Sequence, residues 1–97
     1  PDRTDDYTEL AVPDTGLPVT FYPGGYDATP TGGTTATPFN GGPNGATVPH
    51  VQRAIVNATN GDEVKITSLT LAGCTVNVVN AGVNVTRSGV NLLVRGY

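Results

Sequence analysis

The 97-residue chain has no methionine, no tryptophan, one cysteine and one histidine. With Cys74 alone, an internal disulfide and a thiolate metal cage are both excluded. A single cysteine also gives no reason to infer an oxidising compartment. Charged residues make up only 13% of the chain and aromatic residues 6%. That is too little for the basic stripe and the stacking platforms with which a protein tracks nucleic acid. No apolar run approaches the roughly 20 residues of a membrane-spanning helix. No signal peptide opens the sequence, so the mature protein is expected to begin at or near Pro1.

What is present is divided unevenly. All 8 prolines lie within residues 1–49, and residues 50–97 contain none. The first segment carries six acidic side chains and one arginine, a net −5; the second carries four basic and two acidic, a net +2. Opposite halves can attract one another within a chain or between neighbours. The composition therefore divides the chain into an extended Pro/Gly-rich arm, 1–49, and a compact, mainly β region, 50–97.

Within the arm, Leu17-Pro-Val-Thr-Phe-Tyr22 has the composition of an edge strand,. The low aliphatic content is compatible with a disordered tail. The aromatic residues Tyr7, Phe21, Tyr22, Tyr26 and Phe39 favour instead an arm that orders against another subunit, because aromatic side chains anchor interfaces.

Residues 50–60 carry a mixed signal. Val51, Ala54, Ile55 and Ala58 recur at helical spacing, Pro49 and Thr47 suit a helix start, and Asn60-Gly61 suits its end,. A short helix is the expectation. The alternative is a strand whose Asn60-Gly61 turns into Val64-Lys-Ile-Thr67,.

The end of the chain shows a seven-residue pattern. Leu69-Thr-Leu71, Val76-Asn-Val78, Val83-Asn-Val85 and Val90-Asn-Leu92 are spaced by seven, and Gly82, Gly89 and Gly96 close the last three units. Valine, asparagine and glycine are poor helix formers, which removes the coiled-coil reading. Three alternating residues followed by a four-residue turn match a β-solenoid or fibre-like winding. A β-meander in a sandwich also explains strands and turns, but not the fixed period. One coil cannot bury itself, so the winding implies stacking or docking on a larger body.

The stretch Val51-Gln-Arg-Ala-Ile-Val-Asn-Ala-Thr-Asn-Gly-Asp-Glu-Val-Lys-Ile66 loosely resembles the opening of parallel β-helix proteins, the tailspike and pectate-lyase-like group. There a short helix and a Gly-Asp turn cover the end of the coil. This chain is far shorter, and none of their catalytic residues can be carried over. As a whole it resembles in style the small accessory proteins of phage virions, of the head-decoration, cement or head-fibre-base type. That resemblance implies a trimeric homo-oligomer docking on a capsid, located in the virion after assembly in the host cytoplasm.

Candidate chemistry is sparse. Cys74 and His50 could form a nucleophile pair, but nothing identifies an orienting partner, and a lone cysteine in a β-run is ordinarily a small buried apolar group. Asp2, Asp5, Asp6 and Glu9 lack the spacing of a calcium loop,. They are expected to be solvated, or paired with Arg87 and Arg95 of a neighbour. Asn77, Asn84 and Asn91 would stack as an outward ladder on solenoid geometry, a surface for a sugar or another chain. Asn57-Ala-Thr59 and Asn84-Val-Thr86 match the glycosylation acceptor pattern, which has no force without a secretory route,.

The expectations are thus a non-enzymatic structural protein without cofactor or metal, not a binder of nucleic acid or membrane. Its interface residues would be Tyr7, Phe21, Tyr22, Tyr26, Phe39, Arg87 and Arg95. The alternative is a carbohydrate-binding or adhesin module using Asn77, Asn84 and Asn91. A fragment of a β-helix hydrolase would need paired carboxylates on one β-face, and residues 64–97 contain no Asp or Glu.

Overall fold

A computed structural model describes residues 3–25, 35–42 and 47–97. The described residues form seven strands and no helix: β1 (Arg3–Val12), β2 (Leu17–Thr20), β3 (His50–Ile55), β4 (Glu63–Thr67), β5 (Gly73–Asn80), β6 (Val83–Val85) and β7 (Arg87–Gly96). They make two antiparallel sheets. One has the order β1-β7-β3; in the other β5 is flanked by β4 on one edge and by β2 and β6 on the other.

Strand alternation explains the core. On β5, Cys74, Val76 and Val78 point inward, and on β7, Val90, Leu92 and Val94 do the same. Tyr7, Leu10 and Val12 of β1, with Phe21 and Phe39, complete one shared apolar interior. β-branched residues on a pleated, half-buried surface satisfy both strand propensity and packing.

The segment expected to be an arm is built into this body in its described parts. β1 pairs with β7 from Arg3↔Gly96 to Val12↔Arg87, and β2 pairs with β5. The reason lies in the partners' needs: β7 and β5 each have a second edge to fill, and Tyr7, Leu10, Val12 and Val19 supply inward side chains,. Glycine permits one close approach, since a Cβ on Gly73 would strike the Val19 carbonyl. Leu17–Thr20 is the edge strand that its composition indicated.

Two further expectations are corrected. Residues 50–55 are a strand, not the start of a helix over 50–60. Only Val51 of the supposed apolar stripe is buried, whereas Ala54 and Ala58 are exposed. A helix would have faced solvent, and pairing with β7 takes precedence,. The strand ends at Ile55, and the chain then crosses to the other sheet, so Asn60-Gly61 is not a hairpin turn within one sheet.

The seven-residue units do not wind into a solenoid, which would stack them in parallel register. Val76–Val78 and Val90–Leu92 lie in the middles of strands in different sheets, Val83–Val85 is a short antiparallel partner of β5, and Leu69–Leu71 is a connection. The period arises from alternation interrupted by the turn at Ala81-Gly82 and by Gly89, both with positive φ,.

Candidate functional site

Two polar clusters stand out against the apolar interior, and both join distant parts of the chain. In the first, Asp5 sits fully buried on β1. Arg3 donates from Nε to Oδ1 at 3.1 Å and from Nη2 to Oδ2 at 2.9 Å. The Gly24 amide donates to Oδ1 at 2.9 Å and the Tyr7 hydroxyl to Oδ2 at 3.3 Å. Residues 3, 5 and 7 meet because alternate side chains of a strand share a face. The Tyr7 oxygen also accepts the Tyr22 amide at 2.9 Å. Burial, ahead of the Asp5 charge, pushes the Tyr7 phenol far above its ordinary value near 10. The Arg3 guanidinium lies 3.9 Å over the Phe39 ring and donates to the Pro38 carbonyl,. Phe39 in turn meets Phe21 edge-on, their centroids 5.4 Å apart. This cluster fastens β1 to residues 21–25 and 38–39.

The second cluster centres on Asp62, just before β4. Its carboxylate accepts Arg87 Nε at 2.9 Å, Arg87 Nη2 at 3.2 Å, Asn80 Nδ2 at 2.8 Å and the Thr59 amide at 2.9 Å. The hydrogen bonds from Arg87, then Asn80, hold its carboxyl below the usual carboxylate range,. Two open concavities of about 410 and 500 Å³ flank Arg87 and Ser88, the larger lined mainly by Ala11, Val12, Pro13 and Leu17. Arg87 is committed to Asp62, so neither concavity gains a free cation from it.

The residues expected to form an interface are redistributed. Tyr7, Phe21 and Phe39 are buried in the chain's own core, and Tyr22 packs against it half-buried. Arg87 is paired internally, while Arg95 is exposed on β7. Tyr26 and Asp2 lie outside the described residues. The three asparagines are not brought together. Asn77 and Asn84 lie on the outer face of one sheet, and Asn91 on the other sheet. Asn91 serves the backbone instead. Its Oδ1 accepts the Glu9 amide at 2.8 Å, where β1 bulges and Glu9 takes φ 55°,. Asn77 is half-buried beside Gly16 in the β1–β2 turn. The acceptor asparagines Asn57 and Asn84 are both exposed.

Cys74 and His50 stand on different sheets. Burial pushes the Cys74 thiol up to about 11, the reverse of an activated nucleophile,. Among the described residues, no three His, Cys, Asp or Glu side chains converge on a point where a metal ion could sit.

Sequence reasoning missed the Arg3–Asp5 pair, and with it Asp62 and Asn80. The expectation that Asp5 is solvated, or paired with Arg87 or Arg95 of a neighbour, is corrected: it is buried against Arg3 of its own strand, and Arg87 is taken by Asp62. For the first pair a signal existed: Arg3, Asp5 and Tyr7 share strand parity, and opposite charges two apart on one face can pair. Asp62 carried no such mark, because its side-chain partners Asn80 and Arg87 are 18 and 25 residues away.

What the surface does offer is strand edges. β3 and β4 are outer strands of the two sheets and approach each other across the interior. Among the described residues, no group bonds the outer edge of either. Comparison with family models, curated proteins and solved structures finds no match to this chain.

Proposed function

We propose that the chain is a structural subunit, not an enzyme, that self-associates and docks on a larger protein assembly of the kind that decorates or cements a viral capsid. The supporting observation is the open outer edge of β4, which no described group bonds. An open edge presents a row of unpaired amides and carbonyls, the template on which another chain adds a strand. A small body with its own core needs no partner in order to fold, so edges left open on one side are surfaces for association. The physical reason for a trimer, a coil unable to bury itself, does not apply to two sheets with a shared interior, and the reading is therefore a homo-oligomer of unspecified number.

The test is absolute mass in solution, by light scattering on a sizing column over a range of concentrations. A defined oligomer supports the reading. A folded monomer at the highest attainable concentration overturns it.

A further inference from the structure

The strand edges are not equivalent. The outer edge of β1 is covered at Asp6, whose amide donates to the Gly24 carbonyl at 3.1 Å, and it is bulged beyond Tyr7. β2 has four residues including Pro18, and β6 has three. β3 carries Arg53 opposite buried Leu92, on the side that alternation directs toward the core, yet Arg53 is exposed. Short length, proline, a bulge and an inward-directed charge are the devices by which natural sheets refuse a neighbour.

β4 has none of these. Its register with β5 is unbroken from Glu63↔Val79 to Thr67↔Thr75. Its guard is charge alone, Glu63 and Lys65, both exposed and both on the outer face, while Val64 points inward and is buried. Charge repels most partners but not every one. Two copies of β4 placed antiparallel about a two-fold axis through Val64 set Glu63 opposite Lys65 of the second copy, and Lys65 opposite its Glu63. Moving the axis to Glu63 or Lys65 sets like charges face to face, as does a parallel in-register pairing, and a one-residue slip turns the strand over. The edge is thus self-complementary in a single register.

We propose that β4 is the self-association edge of this protein, joining two copies antiparallel about Val64 through reciprocal Glu63–Lys65 pairs. This rests on the assembly reading above and names the surface and the partner. A ladder in which only Glu63, Val64 and Lys65 of the two strands face one another buries far less than the roughly 1,000 Å² of a stable interface. The pairing is therefore weak between free chains and becomes firm where docking concentrates them.

Sedimentation velocity across a concentration series tests this with Glu63→Lys, Lys65→Glu and the double reversal; both side chains are exposed, so the variants keep the fold. Each single reversal should weaken self-association at least about tenfold, because two attractive cross-strand pairs become repulsive. Mixing the two single variants should give a heterodimer, and the double reversal should restore the wild-type behaviour. An oligomer that survives every single reversal overturns the β4 ladder and leaves the assembly reading standing. A wild-type monomer at all concentrations overturns both.

Discussion

Arg87 grips both oxygens of Asp62, with Nε 2.9 Å from Oδ2 and Nη2 3.2 Å from Oδ1. Arg87 opens β7 in one sheet and Asp62 precedes β4 in the other, so this fork ties the sheets together at one end,.

The pair gives stability a dependence on acid. Its hydrogen bonds hold the Asp62 carboxyl below its ordinary 3.8. A carboxyl with a lowered folded value contributes in full above the unfolded value and loses that contribution as pH falls through the folded one. Thermal unfolding from pH 6 down to the acid limit should therefore show a decline beginning below about pH 4. Asp62→Asn should lower the melting temperature at neutral pH and flatten that decline. An unchanged acid limb in the variant would place the acid sensitivity elsewhere.

How much of this is legible in the sequence differs from strand to strand. β5 and β7 are plain, because Val76, Val78, Val90 and Leu92 alternate with polar residues and strand periodicity is local. β1 is hidden: its inward positions include Asp5, and a carboxylate on the core face breaks the apolar alternation by which strands are recognised. That charge is acceptable only because Arg3, Tyr7 and Gly24 surround it, and Gly24 comes from 19 residues away. Tyr7, Phe21 and Phe39 do need something to pack against, as their composition implies. The composition does not reveal that the something is the same chain, because tertiary pairing is not a local property. For the site, Asn91 stands out in the sequence for its repeat, whereas its bond to the bulged Glu9 amide depends on backbone geometry that no pattern announces.

Removing Arg3 tests the first cluster. Asp5 has no solvent exposure, and Arg3 supplies two of its hydrogen bonds. Arg3→Ala leaves a buried carboxylate with its charge uncompensated, a loss of about 3–5 kcal/mol. Urea denaturation should show a large fall in midpoint with the slope retained. A loss under about 1 kcal/mol would mean that the cluster admits water and behaves as a surface pair.

Tyr7→Phe is a milder probe of the same cluster. It keeps the ring, which packs 6.1 Å from Phe21, and removes the acceptor of the Tyr22 amide. The expected cost is about 1–2 kcal/mol at neutral pH. The phenol also sets an alkaline limit: its folded value is raised, so its contribution is complete below pH 10.0 and declines as pH rises above it,. The phenylalanine variant should show a shallower alkaline decline, measured against wild type by chemical denaturation at successive pH values.

Cys74 should behave as a core residue. It is buried, and its thiol is held at about 11. A thiol-specific reagent at pH 8 should leave the native protein unlabelled and modify one thiol per chain on unfolding in urea. Rapid labelling of the folded protein would show that β2 opens from β5, since Val19 of β2 is the register partner of Cys74.

The position of β7 has a consequence for how the protein is made. It is the middle strand of its sheet and bonds both β1 and β3, which have no pairing with each other. That sheet consequently cannot nucleate until β7 has left the ribosome, although β4, β5 and β6 can already meet through short connections. β1 must wait across most of the chain's length for Gly96 to arrive opposite Arg3. Closing so distant a pair makes folding slow for a chain of this size, and until it closes the nascent polypeptide has its β1 and β3 side chains exposed to whatever else the cell contains.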